Sequence, residues 1–328
     1  MGFAQILGHQ KQVQIVRQAL SHGRLHHAYL FVGTEGVGKK TIALGLAKAI
    51  HCSAAAGDFC DECVDCARIK DDNHTDVRII EPLVGKKEIS IQQIRELEKE
   101  LNLRSFSGRK KIAILDPATL MNLSAQNALL KTLEEPPPDS LLILIAANGG
   151  SLLPTLRSRC LRISFGPLAR DLISGFLVSR KGLEGETAEF LAAMSLGSLG
   201  AVVNIDTQEL LGKRREWIRL ISSLGAGDYR AATDAAEILA GSKDDSLRFL
   251  EWIESWFRDL LVYGVTQNQQ TVVNYDMLTQ IQRQSASTNV ERLFCWINET
   301  KVAIAGLQRN LNRRMVIEGL LLNTVEAN

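Results

Sequence analysis

The chain has 328 residues, of which 45% are hydrophobic and 23% are charged, and this composition is ordinary for a soluble globular protein of two or three domains. Thirty-eight Lys and Arg residues against 37 Asp and Glu residues leave a net charge of +1, which excludes a globally basic nucleic-acid coat and an acidic tail. The longest apolar run, Leu141 to Ala147, is too short to cross a bilayer, and no signal-peptide pattern is visible, so we expect a cytoplasmic protein that makes no membrane contact.

The first half of the chain alternates between strand-like and helical patterns. Short apolar runs predict buried strands, and the amphipathic or alanine-rich segments between them predict helices. The predicted strands cover residues 27–32, 77–80, 111–115, 141–146 and 161–165, and the predicted helices cover 10–21, 41–50, 90–101 and 124–134. Ser90 and Gln93 form a capping-box pattern at the start of the third helix. This alternation predicts an α/β fold with a parallel sheet covered on both faces.

The strand pattern ends near Gly166. Residues 167–207 contain helical patterns interrupted by glycines, and from about residue 208 onward the period is almost entirely helical. The large apolar anchors of this part are Trp217, Trp252, Trp256 and Trp296. We expect these tryptophans to pack in a core or an interface and not to stack on bases. The sequence therefore predicts three domains: an α/β domain over 1–166, a small helical domain over 167–207 and an all-helical domain over 208–328.

A glycine-rich loop with the sequence GTEGVGKKT follows the first predicted strand and precedes a helix, which is the context of a phosphate-binding loop. Its glycines let backbone amides turn toward phosphate oxygens, and a lysine adds positive charge. The residues that would contact ATP or ADP are Gly33, Gly36, Gly38, Lys39 and Thr41. The residue after the first lysine should be Ser or Thr to hold magnesium, but it is Lys40. A shift of one position turns a side chain by about 100° around a helix, so Thr41 should not replace that ligand.

The loop therefore has two interpretations, a nucleotide site that does not support hydrolysis by itself and a loop that keeps only the shape of such a site. Asp116, at the end of the third predicted strand, is where nucleotide-hydrolysing proteins place an acidic group for magnesium. An aspartate that caps a turn with Pro117 explains the residue equally well. The next residue, Pro117, has no group that could polarise a water molecule.

Four of the six cysteines lie within fifteen residues, at Cys52, Cys60, Cys63 and Cys66. Four thiolates at this spacing can close a tetrahedral zinc site, which would be structural because protein fills every position. His51 is a weaker candidate ligand or base beside them. The alternatives are a redox-sensitive, cysteine-rich loop and an iron–sulfur cluster. A disulfide framework would spread the cysteines along the chain and need an oxidising compartment, which nothing else indicates.

Two segments carry a family resemblance. Residues 127–137, NALLKTLEEPP, and residues 153–160, LPTLRSRC, resemble the delta-prime subunits of bacterial DNA polymerase III clamp loaders, and residues 23–31 and 105–111 support the match. The cysteine spacing is similar to the zinc module of bacterial clamp-loader subunits. The resemblance is strong over residues 3–166 and continues more weakly to the end. It implies an AAA+ fold with a P-loop-type nucleotide-binding domain, a helical lid and a helical collar that oligomerises.

Compared with the motor-type members of that class, several hydrolysis positions are altered. Lys40 stands at the magnesium ligand and Pro117 at the catalytic glutamate, the polar sensor expected after the fourth strand falls on Ala146 or Ala147, and no arginine sensor lies near residues 197–201. The resemblance instead carries over an intact Ser158-Arg159-Cys160 motif. In that motif the arginine acts as a finger on the nucleotide of a neighbouring subunit. The other interpretation of the arginine is a solvated charge or a salt bridge.

The resemblance thus implies a non-motor subunit of a sliding-clamp loader, within the DNA polymerase III holoenzyme, a nucleotidyltransferase complex. Its partners would be the motor (gamma/tau-type) and delta subunits and, indirectly, the sliding clamp and primer-template DNA. One alternative is an active gamma/tau-like ATPase, and another is an adaptor whose zinc module recruits a replication protein. The basic residues that could touch phosphates, although such residues are more often solubilising charges, are Arg104, Arg109, Lys110 and Lys111.

Overall fold

Five apolar segments of the first half form one parallel sheet. A computed structural model describes residues 2–309 and 311–326 of the chain. These residues divide into two compact units, one formed by Met1–Arg180 with Leu196–Val203 and the other by Lys181–Ser195 with Asn204–Asn328. The predicted helical domain over 167–207 is therefore divided between the two units.

The first unit contains the sheet and the helices that cover it. Its strands are β1 (Ala28–Val32), β2 (Val77–Ile80), β3 (Lys111–Leu115), β4 (Ser140–Ala146) and β5 (Leu161–Ser164). Its helices are α1 (Gln10–Ser21), α2 (Lys39–His51), α3 (Val64–Lys70), α4 (Ile91–Leu101), α5 (Leu123–Glu134), α6 (Pro154–Arg157), α7 (Arg170–Lys181) and α9 (Leu199–Val202). Every strand pair is parallel, and the strand order is β2-β3-β4-β1-β5.

The central strands are buried on both faces, which explains their uninterrupted apolar sequences. All five residues of β1 and all seven of β4 are buried, whereas the edge strands β2 and β5 are partly exposed. Alternate residues of β1 point to opposite faces. Tyr29 and Phe31 join a core with α1 and α2, while Leu30 joins a second core with α4 and α5. These findings confirm the predicted α/β fold class.

Element boundaries follow local sequence signals. α4 begins after Ser90, and its capping box with Gln93 is present as predicted. α5 ends at Glu134, just before the proline run, because the residue preceding a proline is pushed out of the helical region. The helix α3 was not predicted, since its seven residues lie in the polar, cysteine-rich segment and are too few to show a clear period.

Among its described residues, the second unit contains helices and no strand, as predicted. Its helices are α8 (Gly185–Met194), α10 (Thr207–Ser222), α11 (Tyr229–Leu239), α12 (Lys243–Thr266), α13 (Leu278–Ser287), α14 (Val290–Gln308) and α15 (Arg313–Val325). Trp252 packs between Trp217 and Trp256, with ring centroids 5.7 and 5.8 Å away, and all three are buried. These tryptophans are core residues and offer no stacking surface to a base. No helix within residues 2–309 and 311–326 has the length and apolarity to cross a membrane.

Candidate functional site

The phosphate-type loop connects β1 to α2 and keeps the backbone shape that its glycines allow. Gly36 and Gly38 have φ angles of 75° and 107°, which other residues rarely adopt. The Gly200 amide donates to the Gly36 carbonyl oxygen at 2.9 Å, and the Ser198 hydroxyl donates to the Glu35 carbonyl oxygen at 2.7 Å. A Cβ added to Gly36 would lie 2.3 Å from the Ser198 Oγ. The 198–200 segment is thus packed directly on the loop.

Lys39 starts α2 and turns its side chain into the loop. Its ammonium donates to the carbonyl oxygens of Gly33 at 2.5 Å and Thr34 at 2.7 Å, and the residue is only 6% exposed. Burial lowers the pKa of Lys39, and the carboxylates of Asp116 and Glu35 partly oppose that effect. The lysine therefore lies where a phosphate-binding lysine is needed, and two carbonyl groups of the loop accept hydrogen bonds from it.

Lys40 and Asp116 meet at the carboxyl edge of the sheet. The Lys40 Nζ lies 2.5 Å from Glu81 Oε1 and 3.9 Å from Asp116 Oδ2. Burial raises the pKa of Asp116, Glu81 raises it further, and the nearby ammonium of Lys40 lowers it. Thr41 lies on the exposed side of α2. An ammonium therefore holds the carboxylates that a magnesium ion would require, and these residues do not fit magnesium.

The four clustered cysteines converge although they come from three structural contexts. Cys52 follows α2, Cys60 and Cys63 lie in the next loop, and Cys66 lies in α3. All four sulfur atoms are within 4.8 Å of one another, with Cys52–Cys60 at 3.7 Å and Cys52–Cys63 at 4.0 Å. Sulfurs bonded tetrahedrally at about 2.3 Å from zinc lie about 3.8 Å apart. The amides of Glu62 and Cys63 also point to the Cys60 sulfur. The donor set can therefore hold a metal ion.

His51 does not belong to this cluster. Its ring packs at a tilt of 53° against that of His74, with a centroid distance of 4.5 Å, and its Nδ1 lies 3.4 Å from the Ser107 hydroxyl. Burial lowers the pKa of His51 to about 4, and the neighbouring His74 adds to that effect. His51 is thus a buried neutral imidazole between the cysteine segment and the 105–109 loop, and the candidate ligands are the four cysteines.

The basic residues of the 104–111 segment mostly serve contacts within the chain. Arg109 donates to the carbonyl oxygens of Ile50 at 2.8 Å and Cys52 at 3.0 Å. Lys111 lies 3.9 Å from the Asp76 carboxylate, and Lys110 lies 3.7 Å from Asp139. These pairings favour structural roles over phosphate contacts for the three residues.

Asp76, which the sequence analysis did not single out, anchors that loop. Its buried carboxylate accepts hydrogen bonds from the amides of Phe106 at 2.9 Å and Ser107 at 2.8 Å and from the Ser105 hydroxyl at 3.0 Å. Burial alone would raise the pKa of Asp76, but these hydrogen bonds outweigh it and lower the pKa to about 2. The carboxylate is therefore ionised and fixes the loop that closes over the cysteine segment.

Replacing Asp76 by asparagine is expected to lower the free energy of unfolding by about 2–3 kcal/mol at pH 7. Because the folded pKa lies below the ordinary value of 3.8, the carboxylate stabilises the fold above about pH 4 and loses that effect as the pH falls toward about 2. Urea unfolding of both proteins over this range measures the difference. A difference that does not shrink at low pH would contradict the assignment.

Arg159 lies between α6 and β5, and its guanidinium is paired within the chain. Its Nη2 is 2.6 Å from Glu134 Oε1, its Nη1 donates to the Thr155 carbonyl oxygen at 2.7 Å, and the side chain is 34% exposed. Ser158 donates its hydroxyl to the same carbonyl at 3.0 Å. Cys160 packs against the second core, and burial raises its pKa to about 12. Only the arginine of this motif presents a charged group toward solvent.

The sequence analysis also did not single out the acidic partners of Lys40 and Arg159. Glu81 directly follows β2, just as Asp116 directly follows β3, so the acidic residue at this strand end was a detectable signal. Glu134 closes α5 and gave no such signal, because its contact with Arg159 depends on how α5 and α6 pack.

Comparison with known proteins identifies relatives over nearly the whole chain. A family model described as DNA polymerase III, delta subunit, matches residues 8–169, and one for its C terminal part matches residues 208–326. DNA polymerase III subunit delta′ of Pseudomonas aeruginosa is 31% identical over 90% of each chain. The Bacillus subtilis subunit delta′ is 28% identical over 94% of each chain. DNA polymerase III subunit tau of Escherichia coli is 29% identical over 74% of this chain and 36% of its own length.

Proposed function

Because the chain belongs to the DNA polymerase III delta′ subunit family, we propose that it is a non-motor subunit of the sliding-clamp loader and that it completes a neighbour's ATP site with Arg159. The observation that carries this proposal is the contrast between two sites of the chain. Lys40 and Pro117 stand where hydrolysis needs a magnesium ligand and a general base, whereas the guanidinium of Arg159 lies at the surface, a third exposed. A fork of N–H donors that stays charged at any physiological pH suits phosphate oxygens.

The partners that follow from this role are the motor (gamma/tau-type) and delta subunits, and through them the sliding clamp and primer-template DNA. The helical second unit would supply the collar contacts, with boundaries near residues 167 and 208 for the lid and collar. The four-cysteine cluster would hold one structural zinc ion, which cross-links α2, α3 and the loop between them. Both roles extend what the family implies to this chain.

The second candidate function is that of an active ATPase similar to the tau subunits. The Escherichia coli tau subunit aligns with about three quarters of this chain. It is less favoured because Lys39 is hydrogen-bonded to its own loop and Lys40 is paired with Glu81. Phosphoryl transfer depends on positioned charges and on a bound metal ion, so their loss removes most of the available catalysis.

The purified chain is expected to show no ATP turnover above background at saturating magnesium. Phosphate release from the chain alone, and from the chain mixed with its cognate motor subunit, separates the two candidates, since only the mixture should be active. Lys39→Ala serves as the control. Robust magnesium-dependent turnover by the chain alone, abolished by that substitution, would falsify the non-motor role.

A further inference from the structure

Three elements bring a cation and two acidic groups together beside the phosphate-type loop. Glu81 directly follows β2 and Asp116 directly follows β3, and these strands are neighbours in the sheet. Lys40 lies in the first turn of α2, and this helix begins at the same edge of the sheet. Its Nζ lies 2.5 Å from one carboxylate and 3.9 Å from the other.

The neighbouring carboxylates of Glu81 and Asp116 need a positive charge close to them. The Asp116 side chain is only 20% exposed, and water therefore screens it poorly from the neighbouring carboxylate of Glu81. Two carboxylates at one site repel each other unless a cation lies nearby. The ammonium of Lys40 supplies that cation from within the chain.

The position is also the one that a divalent ion would need. Carboxylates that follow a strand beside a phosphate loop are magnesium ligands in nucleotide-hydrolysing proteins. Magnesium requires near-octahedral oxygen coordination and keeps several waters. An ammonium in hydrogen-bond contact with Glu81 takes the oxygen atoms and the space that such an ion would use.

We propose that Lys40 is a built-in cation that occupies the divalent-metal position of this site and thereby excludes magnesium. The inference rests on the proposed non-motor role in one respect, because it gives a structural cause for the loss of hydrolysis. Cation binding at this site can nevertheless be measured without nucleotide. The residue acts on the site through its charge and its position and takes part in no chemical step.

The test is manganese binding by this chain, with the free Mn²⁺ measured by electron paramagnetic resonance. Lys40→Thr is expected to bind one Mn²⁺ about tenfold or more tighter than the parent chain, because it removes the ammonium that lies beside both carboxylates. Lys40→Thr combined with Asp116→Asn should lose that site. Lys110→Thr is the matched control, since Lys110 faces the single carboxylate of Asp139, and it should gain no site.

A thermal measurement keeps the proposal testable if the threonine variant is unstable. The melting temperature of Lys40→Met should be lower than that of the parent and should recover with Mg²⁺ or Mn²⁺, while Lys40→Arg should need neither ion. Two results would overturn the proposal: a parent chain that binds Mn²⁺ through Asp116 as tightly as Lys40→Thr, or Lys40 variants that neither bind nor respond to divalent ions. Neither measurement depends on ATP turnover, so a failure here is distinguishable from failure of the non-motor role.

Discussion

Replacing Arg159 by alanine is expected to lower the DNA-stimulated ATPase activity of the reconstituted clamp loader while leaving the melting temperature of this chain nearly unchanged. An arginine finger contributes on the order of 10³–10⁵ in rate at the site it serves. The total activity should fall by much less, about twofold or more, because other motor sites keep their own fingers. The stability should change by at most about 1 kcal/mol, since the residue is partly exposed and pairs with a solvated carboxylate.

The ion pair with Glu134 provides a matched control for this experiment. Glu134→Gln removes the partner of Arg159 but keeps the guanidinium. If the arginine acted only through that pair, both substitutions would have the same effect on the loader. We expect the glutamine variant to retain the parental ATPase activity of the loader and the alanine variant to show the reduced activity.

Arg159→Lys should not restore activity, because an ammonium is a point charge and cannot place two N–H donors on phosphate oxygens. Clamp loading and ATP hydrolysis by the reconstituted complex are the readouts. An Arg159→Ala complex that loads clamps at the parental rate would show that this residue is only a surface charge.

Substituting a residue of the four-cysteine cluster is expected to remove a bound zinc ion and to destabilise the protein. Protein purified without chelator is expected to contain one zinc per chain by elemental analysis, and Cys60→Ser should abolish it. We expect this variant to lose about 3–5 kcal/mol of stability, since the loss of a structural metal is among the strongly destabilising changes. The sheet should persist, because its apolar core does not depend on the metal. Cys295→Ser is the control, since Cys295 is exposed and lies outside the cluster.

Cobalt substitution gives an independent check on the ligand set. Cobalt bound by four thiolates shows intense charge-transfer bands, which should weaken in each of the four single cysteine variants and not in Cys295→Ser. Iron instead of zinc in the purified protein would favour an iron–sulfur cluster, and a metal-free chain with an ordered cysteine segment would contradict the metal site.

The strands and most helices of the first unit were predictable because their signals are local. Short, uninterrupted apolar runs favour central strands of a covered sheet. β2 and β3 begin and end at the predicted residues. The cysteine cluster was predictable from spacing alone. Pairings such as Lys40 with Glu81 and Arg159 with Glu134 were not, because they join residues 41 and about 25 positions apart through tertiary packing. The sequence showed only that Lys40 replaces a magnesium ligand. Its role as a cation depends on the carboxylate of Glu81, which follows a different strand.

The burial of Cys52 and Cys66 has a consequence for how this protein can change over evolutionary time. Both residues belong to the same core as the strand residues Tyr29 and Phe31, and Cys66 has no exposed surface. The cysteine segment therefore cannot be gained or lost without changing the stability of the domain. A lineage that abandons the metal has to refill this space with apolar side chains of similar volume, since serines there would leave polar groups in a dry, close-packed interior.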